Sequence, residues 1–319
     1  MELIRGHYNI PENQRGCVAT IGNFDGVHLG HQAVISQLLE KSKQLQLPSV
    51  AMVFEPQPIE FFSKSAPAGT EPRPAPPRIS RFREKLRLLE AQNIDKVLCL
   101  RFDQKLSHLS GQQFIQDILV DGLGVRHMIV GDDFRYGHKR SGDFALMQSE
   151  GQKHDFEVTP TNTFLLDGER VSSTRIRAAL AEADFALAET LLGRPFSISG
   201  KICYGQQLGR TLGVPTANIG MAGLRPTLEG VFIVKLKHKG RWLPGVANIG
   251  NRPTVAGTYP LLEVHLFDFN ETLYGDFVTV QFEQKIREEE KFNSLPELQS
   301  AMERDLSIGR QYFSKHAVL

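Results

Sequence analysis

Apolar positions in the first half of the chain follow two alternating patterns. Cys17–Ile21 is a short apolar run that stops at Gly22, and beyond it Val34, Ile35, Leu38 and Leu39 recur along one helix face. A continuous run bounded by glycine fits a strand buried on both sides, whereas recurrence at three and four residues fits an amphipathic helix. Residues 50–54, 97–100 and 128–130 repeat the first pattern, and residues 83–91 and 112–120 the second. Strands and helices alternating in this way predict an α/β unit, a doubly wound parallel sheet covered on both faces. Ligands of such sheets gather at the carboxyl ends of the strands. Residues 66–77 are rich in proline and small residues. They read as a mobile surface loop, with a lid over a site as the alternative.

Near residue 190 the pattern changes. A helical stretch over 174–192 gives way to short segments separated by glycine turns, and residues 231–236, 262–267 and 278–282 alternate with period two. A closing helix is announced by Ser294 and Glu297 at capping-box spacing, with Leu298, Met302 and Leu306 on one face. The expected organisation is two domains, 1–187 and 188–319. The second is a small antiparallel β-barrel, or a sandwich, with a C-terminal helix.

Composition narrows the classes. A chain of 319 residues suits two domains of about 100–200 residues each. Its 41% hydrophobic content is enough to build cores, which excludes a disordered chain. A net charge of +1 offers no broad field for nucleic acid or an anionic membrane, and leaves only local basic sites for a polyanion. Cys17, Cys99 and Cys203 are far apart and form no CxxC pair, which argues against structural zinc and suits a reducing cytoplasm. The first eleven residues lack the apolar stretch of a signal peptide, and no uncharged apolar run could span a bilayer. No repeat with a period of 20–50 residues is present. The expectation is a cytoplasmic protein acting on small molecules, with no obligate protein partner.

Candidate chemistry begins at Gly22-Asn23-Phe24-Asp25-Gly26-Val27-His28-Leu29-Gly30-His31, which follows the first strand and opens the first helix. Glycines admit a ligand close to the backbone, and a helix start offers unpaired N–H groups to an anion. Two histidines three residues apart can aim at one point, and Gly30 between them removes a side chain that would block a nucleotide. The alternatives are a plain glycine turn with two surface histidines, or a metal pair for which a third ligand is missing. No Walker lysine motif and no GxGxxG occur in the chain.

The HxGH element is similar to that of the nucleotidylyltransferase superfamily. The wider string resembles the adenylyltransferase module of the prokaryotic bifunctional riboflavin kinase/FAD synthetase family. Further pieces match in order: Phe54-Glu55-Pro56-Gln57-Pro58, Gly131-Asp132-Asp133-Phe134-Arg135-Tyr136-Gly137 and Ser172-Ser173-Thr174-Arg175-Ile176-Arg177. The resemblance implies that Gly22, Asn23, Phe24, Asp25 and Gly30 line an ATP/FMN site, with His28 and His31 on the ATP phosphates. It implies flavin and nucleotide contacts for Asp133, whose other reading is a turn cap. It implies triphosphate contacts for Ser173, Thr174 and Arg177, whose other reading is a helix cap beside a surface arginine. Gln57 stands where many members carry histidine, and Tyr136 where many carry phenylalanine.

The second half carries Gly205, then Gly209-Arg210-Thr211-Leu212-Gly213-Val214-Pro215-Thr216-Ala217-Asn218. Thr216 and Asn218 offer oxygen ligands of the kind hard Mg²⁺ prefers. Glycine loops alone also fit a β-turn. The full string resembles the riboflavin kinase signature, which implies ATP or flavin contacts at Gly205, Gly209, Arg210, Gly213 and Pro215. Strand alternation sets Leu262, Val264 and Leu266 on one side and Glu263 and His265 on the other. Pattern alone leaves Glu263 open between a solvated glutamate and a general base, and the resemblance implies the base. Asn248 and Arg287 match family loops and are expected to support the site.

The implied chemistry is ATP-dependent phosphorylation of riboflavin to FMN, then adenylylation of FMN by a second ATP to FAD and pyrophosphate. Rival readings are another HxGH adenylyltransferase, such as one for pantetheine phosphate or nicotinate nucleotide, and a flavin sensor without turnover. The kinase-like string opposes the first, and the combination of two histidines with Glu263 opposes the second.

Overall fold

The apolar runs of the first half become adjacent strands of one sheet. The computed structural model describes residues 1–64, 74–204, 214–221, 225–254 and 257–316, except for the side chains of 251–259. The chain divides into two units, Met1–Pro76 with Arg81–Ser172, and Pro77–Ser80 with Ser173–Leu319. The first contains strands β1 (Glu2–Arg5), β2 (Cys17–Ile21), β3 (Ser49–Phe54), β4 (Lys96–Leu100), β5 (Val125–Val130) and β6 (Glu157–Pro160). They lie in the order β1-β4-β3-β2-β5-β6, every neighbouring pair parallel. All positions of β2 and β3 are buried, as a sheet covered on both faces requires.

Helices fill both faces. Ile35 of α1 (Leu29–Leu45) and Leu89 of α3 (Phe82–Glu90) pack on Ala51, Val53 and Val97. The opposite face, with Ala19, Met52, Leu98 and Met128, lies under Phe114 and Ile118. These two come from α5 (Gly111–Phe114) and its π-helical continuation Ile115–Leu123, so the helix read over 112–120 is real but widens part-way. Short segments complete the unit: α2 (Pro58–Lys64), α4 (Gln104–Ser107), α6 (Phe144–Lys153) and the hairpin β7 (Leu165–Leu166) and β8 (Glu169–Arg170). Strand order reverses at β2, which sends β3 and β4 to one side and has β5 and β6 on the other. The carboxyl ends of β2 and β5 therefore flank the position where such sheets form a ligand crevice.

In the second unit the helical stretch 174–192 is two helices, α7 (Ser173–Ala181) and α8 (Phe185–Leu192). Ala183 takes φ 54°, which ends the first, and the Asp184 side chain accepts the Leu187 N–H to cap the second. Next come β9 (Ser197–Cys203), β10 (Ala217–Gly220), β11 (Gly230–His238), β12 (Arg241–Thr254), β13 (Gly257–Leu266) and β14 (Phe277–Arg287). They close into an antiparallel barrel in the order β10-β13-β12-β11-β14-β9, which decides for a barrel and against a sandwich.

Phe232, Val234, Ile249, Leu262 and Val264 fill the barrel, all fully buried. Its outer face keeps an apolar patch, Val231, Val246 and Phe267, which Leu306 and Phe313 of α9 (Leu295–Lys315) cover. The Ser294 side chain accepts the Glu297 N–H at 3.4 Å, while the Glu297 carboxylate takes the Asn293 N–H at 3.1 Å. The capping box read from sequence is thus met on one limb only. Phe185 of α8 stacks on Phe282 and meets Phe232 edge-on, both at 6.0 Å. The boundary expected at 187/188 falls inside this helix.

Candidate active sites

The loop after β2 builds the first site. Gly22 N–H bonds to Met52 O on the neighbouring strand, and the chain then turns through Phe24 (φ 45°) and Val27 (φ 41°). A β-branched residue in the left-handed region costs on the order of 1–3 kcal/mol and persists only where its surroundings hold it. Here Gln32 Nε2 bonds to Val27 O at 3.0 Å, and Phe24 and Val27 are buried in the core under α1. The strained turn delivers His28 to the cap of α1, where its Nδ1 accepts the His31 N–H at 3.3 Å. With Nδ1 as acceptor, the proton of neutral His28 sits on Nε2, a donor suited to a phosphate oxygen.

The His28 and His31 rings stack at 3.6 Å, so the two histidines do converge. Burial, then the His28 ring and Lys85, holds His31 well below the usual histidine range, so it is neutral. Its Nδ1 is buried without a hydrogen-bond partner among the described residues, a defect that a bound ligand would repair. Gly30 has a reason internal to the chain. A Cβ there would come within 3.0 Å of Val171 O and 3.2 Å of the His28 ring, so the missing side chain makes room for the protein itself. Asn23 is exposed, whereas Asp25 is buried in the turn. After β5, Gly131 and Phe134 close a turn, and Asp133 pairs with Arg170 of β8 at 3.2 Å.

In the second unit, pairing register lines up the candidates. Asn218 of β10 stands opposite Glu263 of β13, Glu263 opposite Asn248 of β12, Asn248 opposite Val231 of β11, and Val231 opposite Arg287 of β14. Directly opposed residues share one face of a sheet, so five strands present one row on the outside of the barrel. Thr216, Asn248, Glu263, His265 and Arg287 line a cavity of ≈ 300 Å³ whose apolar wall comes from Phe292 and, on α9, Leu298, Met302 and Leu306. Thr216 also lines a second cavity of ≈ 410 Å³, with Pro215, Asn218, Glu271 and Tyr274. Asn218 Nδ2 donates to Thr216 O at 3.4 Å, which engages the nitrogen of the amide. Arg287 grips Asp305 of α9 through Nε and Nη2, at 3.0 and 2.8 Å, so most of its fork tethers the helix that walls the cavity.

Comparison with known proteins agrees with both halves. A family model for FAD synthetase matches residues 10–175, and one for riboflavin kinase matches residues 192–313. The bifunctional riboflavin kinase/FMN adenylyltransferase of Pseudomonas fluorescens is 50% identical over 311 residues, 97% of this chain and 97% of its own. The chain belongs to this family. The Escherichia coli (strain K12) bifunctional riboflavin kinase/FMN adenylyltransferase is 48% identical over 315 residues, 98% of each chain. A solved structure named a macrolide-efflux protein, from Streptococcus pneumoniae, aligns with TM-score 0.74 and 26% identity over 97% of this chain and 99% of its own. Among the described residues here, no helix is long and apolar enough to cross a membrane.

Of the residues named from the sequence, the structure brings His28 and His31 together and sets Asn218, Glu263, Asn248 and Arg287 along one register, and the others lie elsewhere. Gly205, Gly209, Arg210 and Gly213 fall outside the described residues, as does most of the proline-rich segment. Ser173 and Thr174 open α7, and Arg177 Nε holds Pro77 O at 2.7 Å. Two features lie outside the site residues named from the sequence. Arg170 of β8 stands just before the matched Ser172–Arg177 segment, and that position is its signal in the sequence. Phe54, Phe61, Phe62 and Phe102 form an aromatic cluster beside the carboxyl ends of β3 and β4, each successive contact 5.4–5.6 Å. Phe62 is 55% exposed, and two adjacent phenylalanines in a short polar helix were the signal for it.

Proposed function

We propose that the two activities of the family reside one in each unit. In the barrel unit, riboflavin enters the apolar cavity beneath α9, and Glu263 takes the proton from its terminal ribityl hydroxyl as that oxygen attacks the γ-phosphate of ATP. ATP occupies the neighbouring cavity. The observation that carries this reading is that Thr216 belongs to both cavities, so a phosphoryl donor and acceptor would meet at one residue beside Glu263. Thr216 and Asn218 are the oxygen donors for Mg²⁺, with the Glu263 carboxylate opposite Asn218 on the same face. Bound there, Mg²⁺ neutralises phosphate charge. Asn248 and Pro215 shape the cavities, and Arg287 acts through α9.

In the sheet unit, FMN becomes FAD. The FMN phosphate attacks the α-phosphorus of a second ATP, and pyrophosphate leaves. The nucleophile is already anionic, so positioning and charge stabilisation carry the rate rather than a base. His28 Nε2–H and neutral His31 donate to the phosphate oxygens at the strained turn. The exposed Phe62 cluster supports stacking of the isoalloxazine, and Arg170 beside Asp133 supports a second phosphate contact. Three free cysteines support a cytoplasmic setting. Substrates under this reading are small molecules alone.

The test separates the two sites within one chain. Each variant receives Mg-ATP with riboflavin in one reaction and FMN in another, and products are resolved chromatographically. Glu263→Gln should lose about 10²–10⁴ in FMN formation while still converting supplied FMN to FAD. His28→Ala should accumulate FMN, with FAD formation down about 10²–10³. Equal loss of both activities in either folded variant would overturn the assignment.

A further inference from the structure

The kinase site requires a stretch of irregular chain to stand at a fixed distance from a strand, and one side chain spans the two. The first ladder pair of β10 is Ala217 with Val264. Thr216, one residue earlier, precedes β10, so strand pairing does not set its place. Pro215, before it, has no N–H, and its carbonyl is its whole backbone hydrogen-bonding capacity. That carbonyl lies 2.9 Å from His265 Nδ1. His265 sits on β13 two residues from Glu263, on the same face, and lines the same cavity.

We infer that His265 is a positioning residue of the riboflavin kinase site: its bond to Pro215 sets Thr216 relative to Glu263. The inference rests on the kinase reading above. A carbonyl can only accept, so Nδ1 must carry the proton, which fixes the ring's tautomer. Burial pulls the ring below the usual histidine range, so the neutral donor form prevails near pH 7. The next carbonyl, Thr216 O, is approached by Asn218 Nδ2. Two successive carbonyls of the segment that bears Thr216 are therefore both held by side chains, one from β13 and one from β10. Two residues of strand separate anchor from base, about 7 Å of rigid backbone. A displacement of about 1 Å at a reacting centre can cost on the order of 10²-fold in rate. His265 thus acts through Pro215 and Thr216 rather than on the substrate.

The experiment uses the full chain and a geometric contrast between amides. The Asn side-chain nitrogen reaches where histidine Nδ1 lies, and that of Gln where Nε2 lies. His265→Leu and His265→Gln should each lower kcat for riboflavin phosphorylation at least about tenfold. They should also raise the Mg²⁺ concentration for half-maximal rate, with little change in KM for riboflavin. His265→Asn should restore both to within about threefold of wild type. FAD formation from FMN should be unchanged throughout, and an unchanged urea midpoint for the barrel unit controls for its folding. Binding of Mn²⁺ in the presence of ADP, followed by electron paramagnetic resonance, should weaken in His265→Leu and recover in His265→Asn. Indistinguishable Asn, Gln and Leu variants, or a rise in riboflavin KM alone, would make His265 a cavity wall and overturn the inference. Thr216→Val is measured in parallel. If it leaves Mn²⁺ binding and kinase rate intact, the kinase reading itself fails. If it cripples both while every His265 variant stays intact, only the positioning role fails.

Discussion

Histidine chemistry at both sites depends on which nitrogen carries the proton, and neighbouring backbone decides that in each case. His28 accepts an N–H at Nδ1 and so presents Nε2–H, while His265 donates from Nδ1 to a carbonyl. His31 and His265 are both shifted below the usual value of 6.5, chiefly by burial. His127, buried within β5 beside Glu157, is shifted the same way for the same first cause. A histidine depressed in the folded state binds fewer protons there than in the unfolded chain. Its contribution to stability is therefore complete above the unfolded value near 6.5 and disappears as pH falls through the folded values. The expected outcome is a lower denaturant midpoint at pH 5.5 than at pH 7.5, and replacing His127 with Gln should flatten that slope. A midpoint that rises on acidification would contradict these directions.

At the scale of elements, α9 is the piece whose placement matters most, because it walls the cavity proposed for riboflavin. It is seated by Leu306 and Phe313 on the apolar patch, by the Arg287–Asp305 fork, and by Gly309. A Cβ at Gly309 would lie 2.7 Å from Val246 Cγ2 and 2.9 Å from Phe267 Cζ, both buried side chains. Gly309→Ala gains about 1 kcal/mol of helix propensity but costs about 1–3 kcal/mol in overpacking. The net effect should be destabilising, with α9 lifted and riboflavin KM raised, while FAD formation from FMN is untouched. Unchanged melting and unchanged KM would show that the contact yields freely.

At the scale of the whole molecule, the two units have their own cores, and the chain passes to the barrel unit at 172/173 apart from residues 77–80. Cutting at 187/188 removes Phe185 from its packing on Phe232 and Phe282. Loss of a buried phenylalanine costs about 3–5 kcal/mol. A fragment spanning 173–319 should therefore unfold at clearly higher urea than one spanning 188–319. Both should phosphorylate riboflavin while folded if the activity resides in the barrel unit. Equal urea midpoints would show that α8 adds nothing to the stability of the barrel unit.

The elements readable along the chain are those whose pattern is local and strong. The fully buried strands β2 and β3, the period-two strand that carries Glu263, the HxGH turn and the kinase string were all legible, because burial and turn chemistry leave a mark at each position. Edge strands β1 and β6 were not, since a strand paired on one side and partly open to solvent needs no continuous apolar run. Nor was the break at Ala183, where one residue of left-handed backbone splits a helical pattern in two. Closure into a barrel emerges only in the fold, because alternation reports two faces without saying whether the sheet curls upon itself. Only it could reveal that Asn218, Glu263, Asn248, Val231 and Arg287 share a row, since cross-strand register depends on pairing between segments far apart in sequence. The same holds for His265 and Pro215: fifty residues of intervening chain hide the bond between them, and barrel closure makes it.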